Sequence, residues 1–213
     1  MHGNVNVSIN KSMDYGNVSY DVPNENRAAY PKLRKLFRRV AIMQTYSSYL
    51  IPWGKAQAVK EGIDRINQDA DGFPISGCLQ VRYSIFKYDE RESGKALAAS
   101  ARDALVRMMG DMKSKLHAKV SSLFLEENDD KVKDPIATAK VAARKLSNTV
   151  RDARALALMF GLTDDLDTAF LGYEAYIEAK KEEIKDYETT AKVIDDIEAD
   201  AFVEMSLPDP ITV

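Results

Sequence analysis

The sequence predicts an α+β chain that is predominantly α: a small N-terminal head of strands and helices, followed by an antiparallel bundle of three long helices. Three observations carry this. Apolar residues alternate with polar ones only within the first 90 residues. From about Ser93 to Ala201 they recur instead at three- and four-residue steps. Strong breakers fall at Pro52, at Asp71-Gly72-Phe73-Pro74, over Glu126 to Pro135, and at Gly161. The expected division is a head over 1–91, a bundle over 92–205 and an extended tail over 206–213, where Pro208 and Pro210 disfavour helix.

In the head, Val5, Val7 and Ile9 alternate with Asn4, Asn6 and Ser8, and Val18, Tyr20 and Val22 do the same. With the turn-like stretch Lys11 to Gly16 between them, a β-hairpin is expected over 4–22. Leu79, Val81, Tyr83 and Ile85 oppose Arg82, Ser84, Phe86 and Tyr88, which predicts a strand over 78–88. A lone hairpin is marginal in water, so this strand is expected to pair with the N-terminal ones. Pro31 opens a helix expected over 31–50, with Leu33, Phe37, Val40 and Met43 inward and Pro52 stopping it. A second helix is expected over 55–67, with Ala58, Val59, Ile63 and Ile66 inward.

The first bundle helix is expected to be capped by Ser93 and to bury Leu97, Ala101, Leu105, Met108, Met112, Leu116, Val120 and Leu123. The next buries Ala139, Ala142, Leu146, Val150, Ala153, Leu156 and Phe160, and Gly161 closes it. Thr163 caps the last, with Asp164, Asp165 and Asp167 at the positive end of its dipole. Leu166, Phe170, Tyr173, Ile177, Ile184, Tyr187 and Ile194 keep a near-heptad spacing along it, as a coiled-coil seam does. That stripe is the expected interface between copies of the chain, because a helix of 35–40 residues is about 55 Å long and outruns a small core.

Composition narrows function. Of 213 residues, 45% are hydrophobic and 30% charged, which is globular and not disordered. Two histidines and one cysteine, Cys78, leave too few ligands for a structural zinc site. No basic-then-apolar leader is visible, and the most apolar run, Val40 to Trp53, is too short and polar to span a bilayer, so a cytoplasmic protein with no membrane contact is expected. No cofactor is expected.

Two stretches approach known motifs and fall short. Asn67-Gln68-Asp69-Ala70-Asp71-Gly72 places Asn67, Asp69 and Asp71 where an EF-hand loop has its first three calcium ligands, with the turn glycine sixth. The twelfth position, a bidentate Glu in such loops, is Cys78, and a helix-to-strand turn explains the same residues. Ser93-Gly94-Lys95 has the Gly-Lys of a phosphate loop, but Asp89 stands at its first glycine and Ala96 replaces its Ser/Thr. No nucleophile–base pattern is present, so the chain is expected not to be an enzyme, with a scattered acidic active site as the remaining enzymatic reading.

Charge is sorted along the chain. Residues 1–60 hold nine Lys/Arg against three Asp/Glu, whereas residues 164–213 hold four against fifteen. Such polarity speaks about partners. The leading expectation is a helical interaction or assembly protein whose partner is itself or another protein, the acidic last helix of one copy meeting the basic first helix of another. The lack of a familiar motif suggests a virus or mobile element as its source. The alternative is nucleic-acid binding: Arg34, Lys35, Arg38 and Arg39 crowd the first helix, Lys140, Arg144 and Arg151 form a second basic stripe, and Arg82, Phe86, Lys87 and Tyr88 interleave cations with aromatics that could stack bases.

Overall fold

The computed structural model describes residues 13–124 and 134–205. It is an α+β fold, predominantly α, in which a small antiparallel sheet precedes three long helices. The order is β1 (Tyr15–Asp21), α1 (Ala29–Phe37), β2 (Ile42–Thr45), β3 (Ser48–Pro52), α2 (Ala56–Ile66) and β4 (Arg82–Lys87), then α3 (Glu90–Ser121), α4 (Pro135–Met159) and α5 (Thr163–Met205). The strands lie in the order β2-β3-β1-β4. A β-α-β-β-α-β chain with this strand order is the split β-α-β, or ferredoxin-like, arrangement.

Alternation decides which face of the sheet is covered. Val18 pairs with Tyr49 on one side and with Ile85 on the other, and Tyr20 pairs with Tyr83. These residues pack with Leu33 and Phe37 of α1 and Val59 and Ile63 of α2, so both helices cover that one face. The rings of Tyr20, Phe37 and Tyr49 stack there at centroid distances of 4.3–5.9 Å. Burial there pushes the Tyr20 phenol well above its ordinary range.

The strand expected over 78–88 forms at Arg82–Lys87 and pairs with β1, and the second helix forms at Ala56–Ile66. Two expectations for the head fail. The helix expected over 31–50 ends at Phe37, and residues 42–52 form the β2–β3 hairpin instead. Ile42, Thr45, Tyr49 and Ile51 are weak helix formers that suit a pleated surface; β1 offers a ladder to β3, and β3 offers one to β2. Met43, expected inward, is 56% exposed on β2, and Pro52 closes a strand. The 4–22 hairpin also fails as drawn, because β1 is a central strand whose two edges are taken by β3 and β4. Its first arm, residues 4–9, and the tail 206–213 lie outside the described residues.

Contacts divide the chain into two units. Of the described residues, 13–108 and 151–170 form the first, and 109–124, 134–150 and 171–205 the second. In the first, α4 ends as Gly161 takes φ +66°, which lets Leu162 N–H reach the carbonyl of Ala157 and Gly161 N–H that of Leu158. Tyr15 of β1 stacks on Phe160 at that helix end. In the second, Asp134 caps α4 by accepting from Ala137 N–H at 2.7 Å, with Pro135 in the first helical position. Its core takes Met109, Leu116 and Val120 from α3, Ala139, Ala143, Leu146 and Val150 from α4, and Ile177 and Ile184 from α5. Met109, not the expected Met108, is the buried methionine, and α3 begins at Glu90, so Ser93 lies within the helix and does not cap it. Among the described residues no helix is long and apolar enough to cross a membrane.

Candidate functional site

The first candidate surface combines α1 with β4. Burial of Leu33 and Phe37 turns Arg34, Lys35, Arg38 and Arg39 outward, and all four are exposed. Arg38 is held by Asp152 at 2.6 Å. On β4, Arg82 sits opposite Asp21, Lys87 is ion-paired to Asp14 at 2.7 Å, and Phe86 is 48% exposed with Tyr88 edge-on to it. Phe86 pairs with Asn17, on the face opposite the one that α1 and α2 cover. The helix cations and the aromatic strand face are therefore on opposite sides of the sheet and do not make one surface.

The central strands do not extend Phe86 into a stacking platform. On that same face Tyr15 lies against Phe160, Leu50 is fully buried, and Asn17 donates from its amide to Gln44 Oε1 and Ser48 Oγ. A platform for single strands needs several open rings in a row. Here the strand face offers Phe86 with Tyr88 half-buried beside it.

The calcium candidates form a turn. Asn67 accepts Val81 N–H at 2.7 Å and donates to Val81 O at 2.9 Å, which pins the chain entering β4 to the end of α2. Asp69 Oδ1 accepts the N–H groups of Asp71 and Phe73, and Gly72 takes φ +84°. Two of the three candidate side chains are thus engaged by backbone N–H groups. Among the described residues no group of three His, Cys, Asp or Glu is placed to hold a metal ion.

The stripe expected between copies is largely an internal one. Leu166, Phe170, Ile177 and Ile184 are buried within the chain, which itself supplies the apolar cover that a second copy was expected to give. Tyr173 lies beneath Lys113, and Tyr187 meets Phe124 edge-on at 5.3 Å. Ile194 differs: it and Val193 are each 51% exposed.

The second unit also holds a site that the sequence shows only by halves. Lys140, Ala143, Arg144 and Ser147 of α4 line a groove of about 400 Å³ with Lys181, Ile184 and Lys185 of α5. Ala143 and Ile184 are buried and form an apolar floor, while the four cations stand exposed at the rim. Lys140 reaches across to Glu188 at 2.7 Å, Lys181 pairs with Glu178 at 2.7 Å, and Lys185 with Glu182 at 3.5 Å. Arg144 has no ion-pair partner among the described residues. Arg151, expected on the same stripe, is exposed but belongs to the first unit. Lys181 and Lys185 were hidden by the acidic average of residues 164–213; their four-residue spacing around Ile184 was the available signal.

Set against family models, curated proteins and solved structures, the chain matches none of them.

Proposed function

We propose that this chain is a non-enzymatic assembly protein that associates with further copies of itself through α5. The observation that carries the reading is how far α5 continues. Lys140, five residues into α4, pairs with Glu188, which leaves seventeen residues of α5 still to run. The first turns of α4 can accompany about five of these. About a dozen, roughly 18 Å of helix, remain beyond the described helices of the second unit. They begin at Val193 and Ile194, both half exposed. Burying Val193 and Ile194 against a partner removes apolar surface from water, so a partner for this segment is physically favoured.

Light scattering on the full chain over a range of concentrations and at low and high salt tests this. Mass should rise with concentration. A monomer under every condition would end the reading.

The cationic groove favours a second reading, binding of nucleic acid. It draws Lys140 and Arg144 together with Lys181 and Lys185, and Arg144 has no carboxylate partner among the described residues. Fluorescence anisotropy with single- and double-stranded oligonucleotides tests it, since phosphate binding must weaken steeply as salt rises.

A further inference from the structure

We infer that the α4–α5 groove is the receptor for the acidic end of α5, residues 195–205, from a second copy of the chain. The inference rests on the self-association proposed above and names its contact. Residues 195–205 carry Asp195, Asp196, Glu198, Asp200 and Glu204 and no Lys or Arg. The groove presents Lys140, Arg144, Lys181 and Lys185 around the apolar floor of Ala143 and Ile184. A helix-lined groove with a cationic rim and an apolar floor fits an acidic helix that carries apolar residues.

The occupant has to come from another copy. The helix α5 is continuous from Thr163 to Met205, so its own acidic end starts ten residues beyond Lys185, about 15 Å further along the axis. It moves away from its own groove with every turn. A second copy running antiparallel, with the two α5 helices crossing near residue 190, sets residues 195–200 of each opposite Lys185 to Lys180 of the other. Both grooves then fill at once, and the contact is self-complementary and closed, as a twofold interface requires.

Of the three ion pairs at the rim, Lys140–Glu188 joins α4 to α5, and the other two do not oppose the exchange. Lys181–Glu178 and Lys185–Glu182 are exposed pairs three residues apart on one helix, a class worth little in water. Among the described residues Arg144 has no ion-pair partner to displace. Complementary charge of this kind steers encounter and sets orientation, while the floor and the exposed Val193 and Ile194 supply apolar contact.

Charge reversal on the full-length chain tests it. One variant combines Arg144→Glu with Lys181→Glu, and the other combines Asp196→Lys with Asp200→Lys. Each reversed chain meets like charge in a copy of itself, and its dissociation constant, from sedimentation equilibrium, should rise at least about tenfold. An equimolar mixture of the two makes both contacts complementary again and should recover association close to wild type. Circular dichroism establishes that each variant keeps its helix content. If the wild type associates and the variants associate equally well, the groove contact is overturned while self-association stands. If the wild type is monomeric throughout, both fall. Groove reversal that abolishes oligonucleotide binding and leaves association unchanged would also overturn the inference and assign the groove to nucleic acid.

Discussion

The hydroxyl of Tyr15, at the start of β1, donates to the main-chain oxygen of Phe160, 145 residues later, at 3.2 Å, and the two rings stack with centroids 5.9 Å apart. The edge of the sheet's central strand is thereby tied to the turn that joins α4 and α5. Tyr15→Phe removes one hydrogen bond and leaves a buried carbonyl unpaired, so it should cost about 1–2 kcal/mol of unfolding free energy in urea. Phe160→Ala deletes a fully buried ring and should cost about 3–5 kcal/mol. Because residue 160 keeps its main-chain oxygen in the second variant, equal losses would mean that the ring contributes no more than the hydrogen bond.

Gly161 should resist substitution for a backbone reason. Its φ of +66° is unfavourable for residues with a Cβ, while the space around it is open enough that the nearest atom to an added Cβ is the Met13 methyl at 3.6 Å. Gly161→Ala should therefore destabilise by about 1–2 kcal/mol, and Gly161→Asn by less, since Asn tolerates that conformation. Thermal unfolding of the two variants compares them directly.

Asn67 should act as a clasp and not as a calcium ligand. Asn67→Ala removes both hydrogen bonds to Val81 and should lower stability by about 1–3 kcal/mol. Added calcium should leave the melting temperature of the wild type unchanged. A calcium-dependent rise that Asn67→Ala abolishes would refute the turn reading.

Asp64 makes a small part of the stability pH-dependent. Hydrogen bonds from Lys60 at 2.7 Å and Tyr83 at 2.6 Å hold its carboxyl below the usual carboxylate range. Because the folded value is depressed, the contribution is fully present above the unfolded value near 4 and fades as pH falls through the lower folded one. The pair is partly exposed, so the contribution should stay under about 1 kcal/mol. Wild type minus Asp64→Asn, measured by denaturant titration, should be flat above pH ~5 and shrink below pH ~4.

The helices were legible where pattern and punctuation agreed. Gly161 and Pro135 mark ends that the backbone respects, because a positive φ and a missing N–H are properties of single residues. Residues 38–52 were misread because Val40 and Met43 fall at helical spacing by coincidence, while the preference of Tyr49, Leu50 and Ile51 for a strand appears only once β1 lies beside them. The candidate site was half legible. Lys140 and Arg144 stand out on α4, but Lys181 and Lys185 disappear into an acidic segment until a helix-to-helix register brings the two pairs together.

The sequence alone determined the predominance of helix, the outward turn of the α1 cations, the alternation that separates Ile85 from Phe86, and the sorting of charge toward an acidic C-terminal helix. Each of these follows from local periodicity, which a chain carries in one dimension. The tertiary structure decided the rest: that β1 is central, that α1 and Phe86 occupy opposite sides of the sheet, that the Leu166–Ile184 stripe is covered by the chain itself, and that four cations meet around Ile184. These depend on which segments pair and in what register. Free energy from burial and hydrogen bonding is shared between residues far apart in the chain, so no window of neighbours can reveal it.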